Sequence, residues 1–541
     1  MLALYLPKYV SLRMAVLLTA FVEDKGWGMS LRASGTKPRR ASTAPEDAAA
    51  RPALSILTGD GEGTSENPGS ASGQADGSRK DRVQLAPGPM SALTVDAPRS
   101  NATPVRSRRL YVSVAAKFTL AMTFTIAWVS LSVWISAGWV RDLVPVTGAV
   151  LGWAIVILVA YLPGAIVAFL TASLVLDRQP PLPEVSPTTA LTVIIAARNE
   201  ERGIGETIAA LSRTDYAGPV SIILADNGST DRTCDAARQT ASRLGVSLRI
   251  ISELTPGKSN ALNTALKQVE TAYVVTVDAD TLLHAEALRR LVSRLESAPS
   301  DTAAVAGTVL VRNSRTNLLT RVQEWDYYLG IAAVKRMQGL YQATLVAQGA
   351  FSLYLTEEVR RVGGWPDAIG EDIVVTWRLM EKGDRVLFEP TAVAFTDAPV
   401  LVKHFLRQRA RWARGMLEGI ATVPPWRQSR RLTGFVAGID LLIPFLDVGY
   451  TLIWLPGLVL FFLGSPLIVS AWTLSVLPVS LVVYGMLRGF QGRHVFGPMG
   501  LKVRRNRLGY VVFLLGYQVL CSTAALAGYA QHLTGAHRRW K

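Results

Sequence analysis

Hydrophobic and polar positions fall into three kinds of pattern along the 541 residues. Two long apolar runs, about 115–140 and 145–176, are followed much later by three more, about 435–463, 466–487 and 508–531. Each can cross a bilayer as a helix, which takes about 20 residues. The second run carries Pro163-Gly164, which predicts a kink. Between the two groups, from Leu191 to about Arg431, short apolar strands alternate with amphipathic helices, the pattern of a mainly parallel α/β domain.

Ahead of the first long run the periodicity disappears. From Glu23 to about Arg109 the chain is rich in Gly, Pro, Ser and Ala with scattered charge, so it cannot bury a core and reads as a disordered tail. The first 22 residues are apolar but interrupted by Lys8 and Arg13 and lack a small-x-small cleavage site, which argues against a cleaved signal. The expected organisation is a disordered region at 1–110, two transmembrane helices within 111–178, an α/β domain at 188–425 and three transmembrane helices within 435–531.

Composition changes this picture only where charge is placed. The net charge is +16, from 57 basic and 41 acidic residues, while 49% of residues are hydrophobic and 18% charged. The loop 488–507 holds six Lys/Arg and no acid, and Arg106, Arg108 and Arg109 precede the first run. That distribution places the N-terminus, the α/β domain and this loop on the cytoplasmic side, and makes membrane lipid the partner of the basic segments rather than nucleic acid. Cys234 and Cys521 stand far apart, so neither a disulfide framework nor a cysteine metal site is expected.

Candidate chemistry gathers at the carboxyl ends of the strands, where ligands of open α/β sheets sit. The strand 191–197 runs into Arg198-Asn199-Glu200-Glu201, and the strand 220–226 into Asp226-Asn227-Gly228-Ser229-Thr230-Asp231. Asp226 can accept hydrogen bonds from a nucleobase or ribose, although either cluster alone could cap a helix. The strand AYVVTVDAD (272–280) puts Asp278 and Asp280 at i and i+2, hard oxygen ligands suited to Mg²⁺ or Mn²⁺ together with phosphate oxygens. Gly257-Lys258 opens a helix, with Lys258 able to meet a phosphate, but no Gly stands at 252 to complete a P-loop. Glu371-Asp372 begin a helix, as catalytic acids or as mere dipole complements. On the basic helix 406–419, Gln408, Arg411 and Trp412 read either as a diphosphate and sugar clamp or as an interfacial helix on anionic lipid.

Taken in order, Asn199-Glu200, Asp226-x-Gly-Ser-x-Asp231, Gly257-Lys258, Asp278-Ala-Asp280, Glu371-Asp372 and Gln408-x-x-Arg411-Trp412 resemble the family 2 processive glycosyltransferases. These include cellulose, hyaluronan, chitin-oligosaccharide and poly-N-acetylglucosamine synthases. The wording around 349–354, 363–367, 371–383 and 408–415 is most similar to the last two groups. The resemblance implies a GT-A-like α/β catalytic domain inserted between transmembrane helices, a UDP-sugar donor, a divalent metal and a growing polysaccharide acceptor. It makes Asp226 the nucleoside ligand, Asp278 the ribose- and metal-side acid, Asp280 the metal ligand, Asp372 the general base with Glu371 beside it, and Gln408, Arg411 and Trp412 the diphosphate and acceptor clamp. Asn227 departs from a frequent Asp, Gly370 from a frequent Thr and Ala196 from a frequent Pro.

The expected activity is inverting transfer from UDP-N-acetylglucosamine or UDP-glucose into an extracellular polysaccharide, with export through the membrane helices and an accessory subunit left open. Transfer of one sugar to a lipid carrier is the alternative, against which Q-x-x-R-W speaks. A basic membrane scaffold is the distant one, and a row of acids at strand ends would not help it bind a polyanion.

Overall fold

The structure is a computed structural model that describes residues 112–469, 476–501 and 505–535, all within one compact unit. The tail expected to be disordered at 1–110 lies outside the described residues.

Strands β1 (Leu191–Ala197) and β2 (Val220–Asp226) are runs of aliphatic and β-branched residues bounded by turn formers, which suits a pleated, buried surface. With β3 (Leu248–Ser252), β4 (Tyr273–Asp278), β5 (Leu282–Leu283), β6 (Thr302–Val311), β7 (Phe351–Leu355) and β8 (Arg385–Thr396) they make one sheet in the order β3-β2-β1-β4-β7-β6-β8-β5. The first four strands are parallel, β7 runs antiparallel to β4 and β6, β6 and β8 are parallel, and β5 is antiparallel to β8. The sheet is therefore mixed but mainly parallel, as expected: only β7 and β5 run against the other strands, a GT-A-like arrangement. Strand β3 was not among the strands read from the sequence, because it is a half-exposed edge of five residues interrupted by Arg249.

Alternation along the strands feeds two cores. Val193, Ile195, Ile222 and Leu224 face one side, with Ile204, Ile208 and Leu291 packed on them. Ile194, Ala196, Ile223 and Ala225 face the other, with Ala261, Leu262 and Ala265 in the same core. The register sets Ala197 beside Asp226 and Ala196 beside Asp278, so the acids ending β2 and β4 flank β1 at one level. Strand order reverses between β1 and β4, and such a switch point opens a crevice at the strand ends.

The helices are α1 (Val114–Thr147), α2 (Ala149–Val175), α3 (Ile204–Ser212), α4 (Thr233–Leu244), α5 (Lys258–Leu266), α6 (Ala287–Glu296), α7 (318–340), α8 (Thr356–Arg361), α9 (Glu371–Glu381), α10 (Val402–Thr422), α11 (Arg431–Phe462), α12 (Val476–Gln491), α13 (Arg507–Leu515) and α14 (Tyr517–Leu533). Helices α1, α2 and α11 are long and apolar enough to cross a membrane, and α13 with α14, bent by 51°, can make a fourth crossing. The fifth expected span, 466–487, falls partly outside the described residues, and its described part is the 16-residue α12. In α2 a π turn at Ile157–Tyr161 directly precedes Pro163, the place where the missing proline N–H disturbs the helical ladder.

Candidate active site

The loops after β1 and β2 are tied to each other. Asn199 adopts a left-handed backbone (φ 57°), a conformation Asn tolerates better than most residues, and this turns its side chain across to the second loop. Its Oδ1 accepts from the Thr230 amide at 2.8 Å, while its own amide donates to Ser229 Oγ at 3.0 Å. The Glu201 amide donates to Asp231 at 3.2 Å, and Glu201 in return accepts from the Arg232 amide at 3.0 Å. The Glu200 amide donates to Thr233 Oγ1 at 2.8 Å. Much of the polarity here thus builds the rim. Asp226 is buried at the end of β2, reached by the Ser229 amide only at 3.3–3.4 Å.

Asn227, next to it, holds the following segment. Its Nδ2 donates to the carbonyls of Glu253 and Thr255 at 3.0 and 2.8 Å, and its Oδ1 accepts from the Gly257 amide at 2.9 Å. Gly257 takes φ 142°, which a side chain would resist, and starts α5 with Lys258 as first residue. Lys258 Nζ lies 2.6 Å from Asp278 Oδ1 and 3.5 Å from Glu371 Oε1. Burial alone would lower this ammonium's pKa, but Asp278 and Glu371 hold it above the ordinary lysine value.

Strand β4 stops at Asp278, where the Thr281 amide donates back to the Asp278 carbonyl at 3.0 Å and closes a turn. The expected extended run through Asp280 is therefore corrected: Asp280 sits in that turn, its Oδ1 accepting from Thr281 and Thr396 hydroxyls at 3.4 and 3.2 Å. Among the described residues no three His, Cys, Asp or Glu gather as a metal centre. One or two hard carboxylates with the remaining positions open match a Mg²⁺ or Mn²⁺ that arrives with a phosphate, so the donor chemistry fits.

Glu371 and Asp372 open α9. Burial pushes the Glu371 carboxyl up to about 7, with Asp372 adding to the rise and Lys258 opposing it. Asp372 Oδ2 accepts from the Gly349 amide at 3.2 Å. A Cβ at Gly349 would lie 2.7 Å from Lys258 Nζ, so a side chain here would have to displace the lysine head from its place beside the acids.

Helix α10 carries the Q-x-x-R-W residues. Gln408 is half-buried, Arg411 is exposed, and Trp412 has one face near the Arg409 guanidinium, 4.2 Å from the ring centroid. The interfacial reading of this helix holds only in part. Arg409 is buried in an ion pair with Asp326 at 2.9 Å and Arg414 in one with Glu418 at 3.2 Å, so these two cations face protein rather than lipid.

Residues 187–415 match the family described as "Glycosyltransferase like family 2". This segment is a family 2 glycosyltransferase domain. The poly-beta-1,6-N-acetyl-D-glucosamine synthase of Staphylococcus aureus is 31% identical over 241 residues, 44% of this chain and 57% of that protein. The protein of the same description from Staphylococcus epidermidis is 29% identical over 226 residues, 42% of this chain and 54% of that one. The chain thus spans little more than half the length of the curated relatives it matches.

Among solved structures, a mannosyltransferase from Pyrobaculum calidifontis in complex with GDP-Man and Mn²⁺ superposes with TM-score 0.46 at 18% identity, covering 79% of this chain and all of that one. Glucosyl-3-phosphoglycerate synthase from Mycobacterium tuberculosis, bound to Mn²⁺, UDP and phosphoglyceric acid, gives 0.32 at 21%, covering 43% of this chain and 78% of that one. Likenesses this weak carry no argument about chemistry.

Within the glycosyltransferase domain the crevice thus brings together Asp226, Lys258, Asp278, Glu371 and Asp372 or their immediate supports. Sequence reasoning missed Gly349, Lys335 and Gly415. Gly415 lies against Gly370: a Cβ on either would come within 2.9 Å of the other's Cα. Lys335, on α7, donates to the Val346 carbonyl at 2.9 Å, and its ammonium interacts with Asp372. An inward lysine near an acid leaves no mark in a linear motif. The Gly370 departure from Thr was the one available hint of the close helix contact.

Proposed function

We propose that the chain is a membrane-embedded, inverting β-glycosyltransferase that polymerises N-acetylglucosamine from UDP-N-acetylglucosamine. UDP-glucose is the less favoured donor, because the curated relatives named above are poly-N-acetylglucosamine synthases. The observation that carries the mechanism is that Lys258 bridges Asp278 at a strand end and Glu371 at the start of α9, bringing the donor-side and base-side acids together.

On this reading Asn199 and Glu200 shape the rim, Asp226 receives the nucleoside, and Asp278 lies at the ribose. An acceptor hydroxyl attacks the anomeric carbon, the new glycosidic C–O bond forms as the bond from that carbon to the diphosphate breaks, and UDP leaves with the electron pair. Asp372 takes the hydroxyl proton, aimed by the Gly349 amide. Lys258 and Arg411 offset charge growing on the diphosphate, and Gln408 and Trp412 hold the acceptor ring near the reacting carbon. Asp280, with Asp278 nearby, would hold Mg²⁺ or Mn²⁺, which when bound neutralises diphosphate charge and so lowers the barrier to its departure.

The apolar helices α1, α2, α11 and the bent α13–α14 pair support a multi-pass protein of the cell membrane. The basic flanks support a cytoplasmic catalytic domain, with export of the polymer between the helices. Membranes carrying the wild type or Asp372→Asn, given several UDP-sugars with Mg²⁺ or Mn²⁺, test this by UDP release and linkage-specific digestion of product. Release from UDP-N-acetylglucosamine that depends on Asp372 is expected. Absence of such release with every donor rejects the mechanism, and a product one sugar long on lipid replaces polymerisation with single transfer.

A further inference from the structure

Lys258 is itself a cation lodged among the acids of the crevice. Its largely buried ammonium lies 2.6 Å from Asp278 Oδ1 and 3.5 Å from Glu371 Oε1, so one head serves the acid that ends β4 and an acid that opens α9. The Gly349 backbone crowds the same head, since a Cβ there would come within 2.7 Å of Nζ. The root of the side chain is fixed as well: Lys258 is the first residue of α5, and the Gly257 amide before it donates to Asn227 Oδ1 at 2.9 Å.

The two acids suited to a metal are held by different kinds of partner. Asp278 and Asp280 stand two residues apart in the turn that the Thr281 amide closes on the Asp278 carbonyl. Asp280 is drawn toward β8, its Oδ1 accepting from the Thr396 hydroxyl at 3.2 Å and from Thr281 at 3.4 Å. Neutral hydroxyls at these lengths yield readily to a metal. An ammonium at 2.6 Å does not, because it makes a charge-assisted bond to the oxygen and repels any second cation. Mg²⁺ and Mn²⁺ sites of this type take one or two carboxylates and complete their shell with phosphate oxygens. A diphosphate brings those oxygens and also offers the lysine another anion.

We propose that Lys258 guards the metal site: it holds Asp278 against a bare divalent cation and yields it when a nucleoside diphosphate offers the ammonium another anion, so that metal and donor enter together. The inference rests on the reading of Asp278 and Asp280 as the metal side of the crevice. The longer contact to Glu371 anchors the ammonium independently of Asp278, so giving up that acid does not require the lysine to leave the crevice.

The test is Mn²⁺ binding to the full-length protein in detergent, read from the loss of the free-ion electron paramagnetic resonance signal, with Mn²⁺ held by free UDP subtracted where UDP is present. Without nucleotide, Lys258→Gln and Lys258→Met are expected to bind Mn²⁺ more tightly than wild type by roughly tenfold or more, since a unit charge beside a divalent ion is worth at least that at a partly exposed site. Lys258→Arg, which keeps the charge, is expected to stay near wild type, and adding Asp278→Asn to Lys258→Gln is expected to remove the gain. Neutral variants no tighter than wild type overturn the proposal. So does a gain that survives Asp278→Asn, which would be a general effect of charge and not the release of that carboxylate. A single variant that keeps Lys258 decides the matter even if the neutral ones do not fold: Asp278→Asn is expected to change Mn²⁺ binding little without UDP and to weaken it with UDP, and equal weakening in both conditions overturns the proposal. If UDP adds no Mn²⁺ to wild type, or Asp280→Asn leaves that Mn²⁺ in place, the metal assignment itself fails, which is a different result from these.

Discussion

Gly370 and Gly415 touch through their backbones, with room for no side chain on either: a Cβ at Gly370 would sit 2.9 Å from both the Cα and the carbonyl oxygen of Gly415. This contact sets the start of α9, and so Glu371 and Asp372, directly against the helix that carries Gln408, Arg411 and Trp412. One turn further along, the Glu418 carboxylate accepts from the Ile369 amide at 2.8 Å, fixing the same approach.

Gly415→Ala is therefore expected to push Asp372, the proposed base, away from Gln408, Arg411 and Trp412, the proposed clamp. Overpacking of this kind costs about 1–3 kcal/mol, which the domain survives, but a misplaced base lowers turnover. The expected outcome is a kcat lower by roughly tenfold or more, read from UDP release at saturating donor. An unchanged kcat would show that the contact does not set the geometry.

Glu371 gives a pH dependence with a definite sign. Its carboxyl is raised from 4.5 to about 7 in the folded protein, chiefly by burial, so the folded state binds the proton more tightly than the unfolded chain does. Its contribution is fully present below pH 4.5 and is lost as pH rises through the folded value near 7. Glu371→Gln, which cannot ionise, should accordingly melt higher than wild type at pH 8 by more than it does at pH 5. The size is of order 1–3 kcal/mol, because Lys258 offsets part of the burial cost. Equal differences at the two pH values would count against it.

What the chain discloses on reading follows from range. Strands β1, β2 and β4 are legible because their apolar runs are local, and Asp226, Asp278 and the Glu371-Asp372 pair are legible because they stand at element ends in a recognisable order. The turn at Asp278–Thr281 was misread as strand because Ala279 and Asp280 have no proline or glycine to mark it. The mainly parallel sheet is legible, but the reversed direction of β7 depends on pairing with β4 and β6, which no local pattern encodes. Lys335, Gly349 and Gly415 were passed over for the same reason: their partners are on other elements.

Asn227 shows the same limit from the other side. Sequence reasoning noted it only as a departure from Asp, whereas its carboxamide is needed as both donor and acceptor. Asn227→Asp would remove the donors to the Glu253 and Thr255 carbonyls and set a carboxylate against them in a site only 2% exposed. Losing both donors and setting a buried carboxylate against two carbonyl oxygens predicts a loss of about 1–3 kcal/mol. Because the same side chain holds the Gly257 amide, donor KM should rise as Lys258 loses its fixed place. Thermal unfolding and donor KM measured together check this, and a variant with both values intact would refute the role given to Asn227.

The Arg409, Asp326 and Tyr517 triad joins three elements that sequence reading kept apart: α10, α7 and the apolar α14. Arg409 lies 2.9 Å from Asp326 Oδ2 and donates to Tyr517 Oη at 2.8 Å, and Tyr517 donates to Asp326 at 2.8 Å. All three are buried, so removing the arginine strands a carboxylate, which costs about 3–5 kcal/mol, whereas removing the tyrosine hydroxyl costs about 1 kcal/mol. Arg409→Met should thus unfold well below Tyr517→Phe in detergent. Adding Asp326→Asn to Arg409→Met should restore part of the loss, since the stranded charge is gone, and the double-mutant cycle isolates that coupling. If Arg409→Met is no worse than Tyr517→Phe, the ion pair is not what fastens the catalytic domain to its apolar helix.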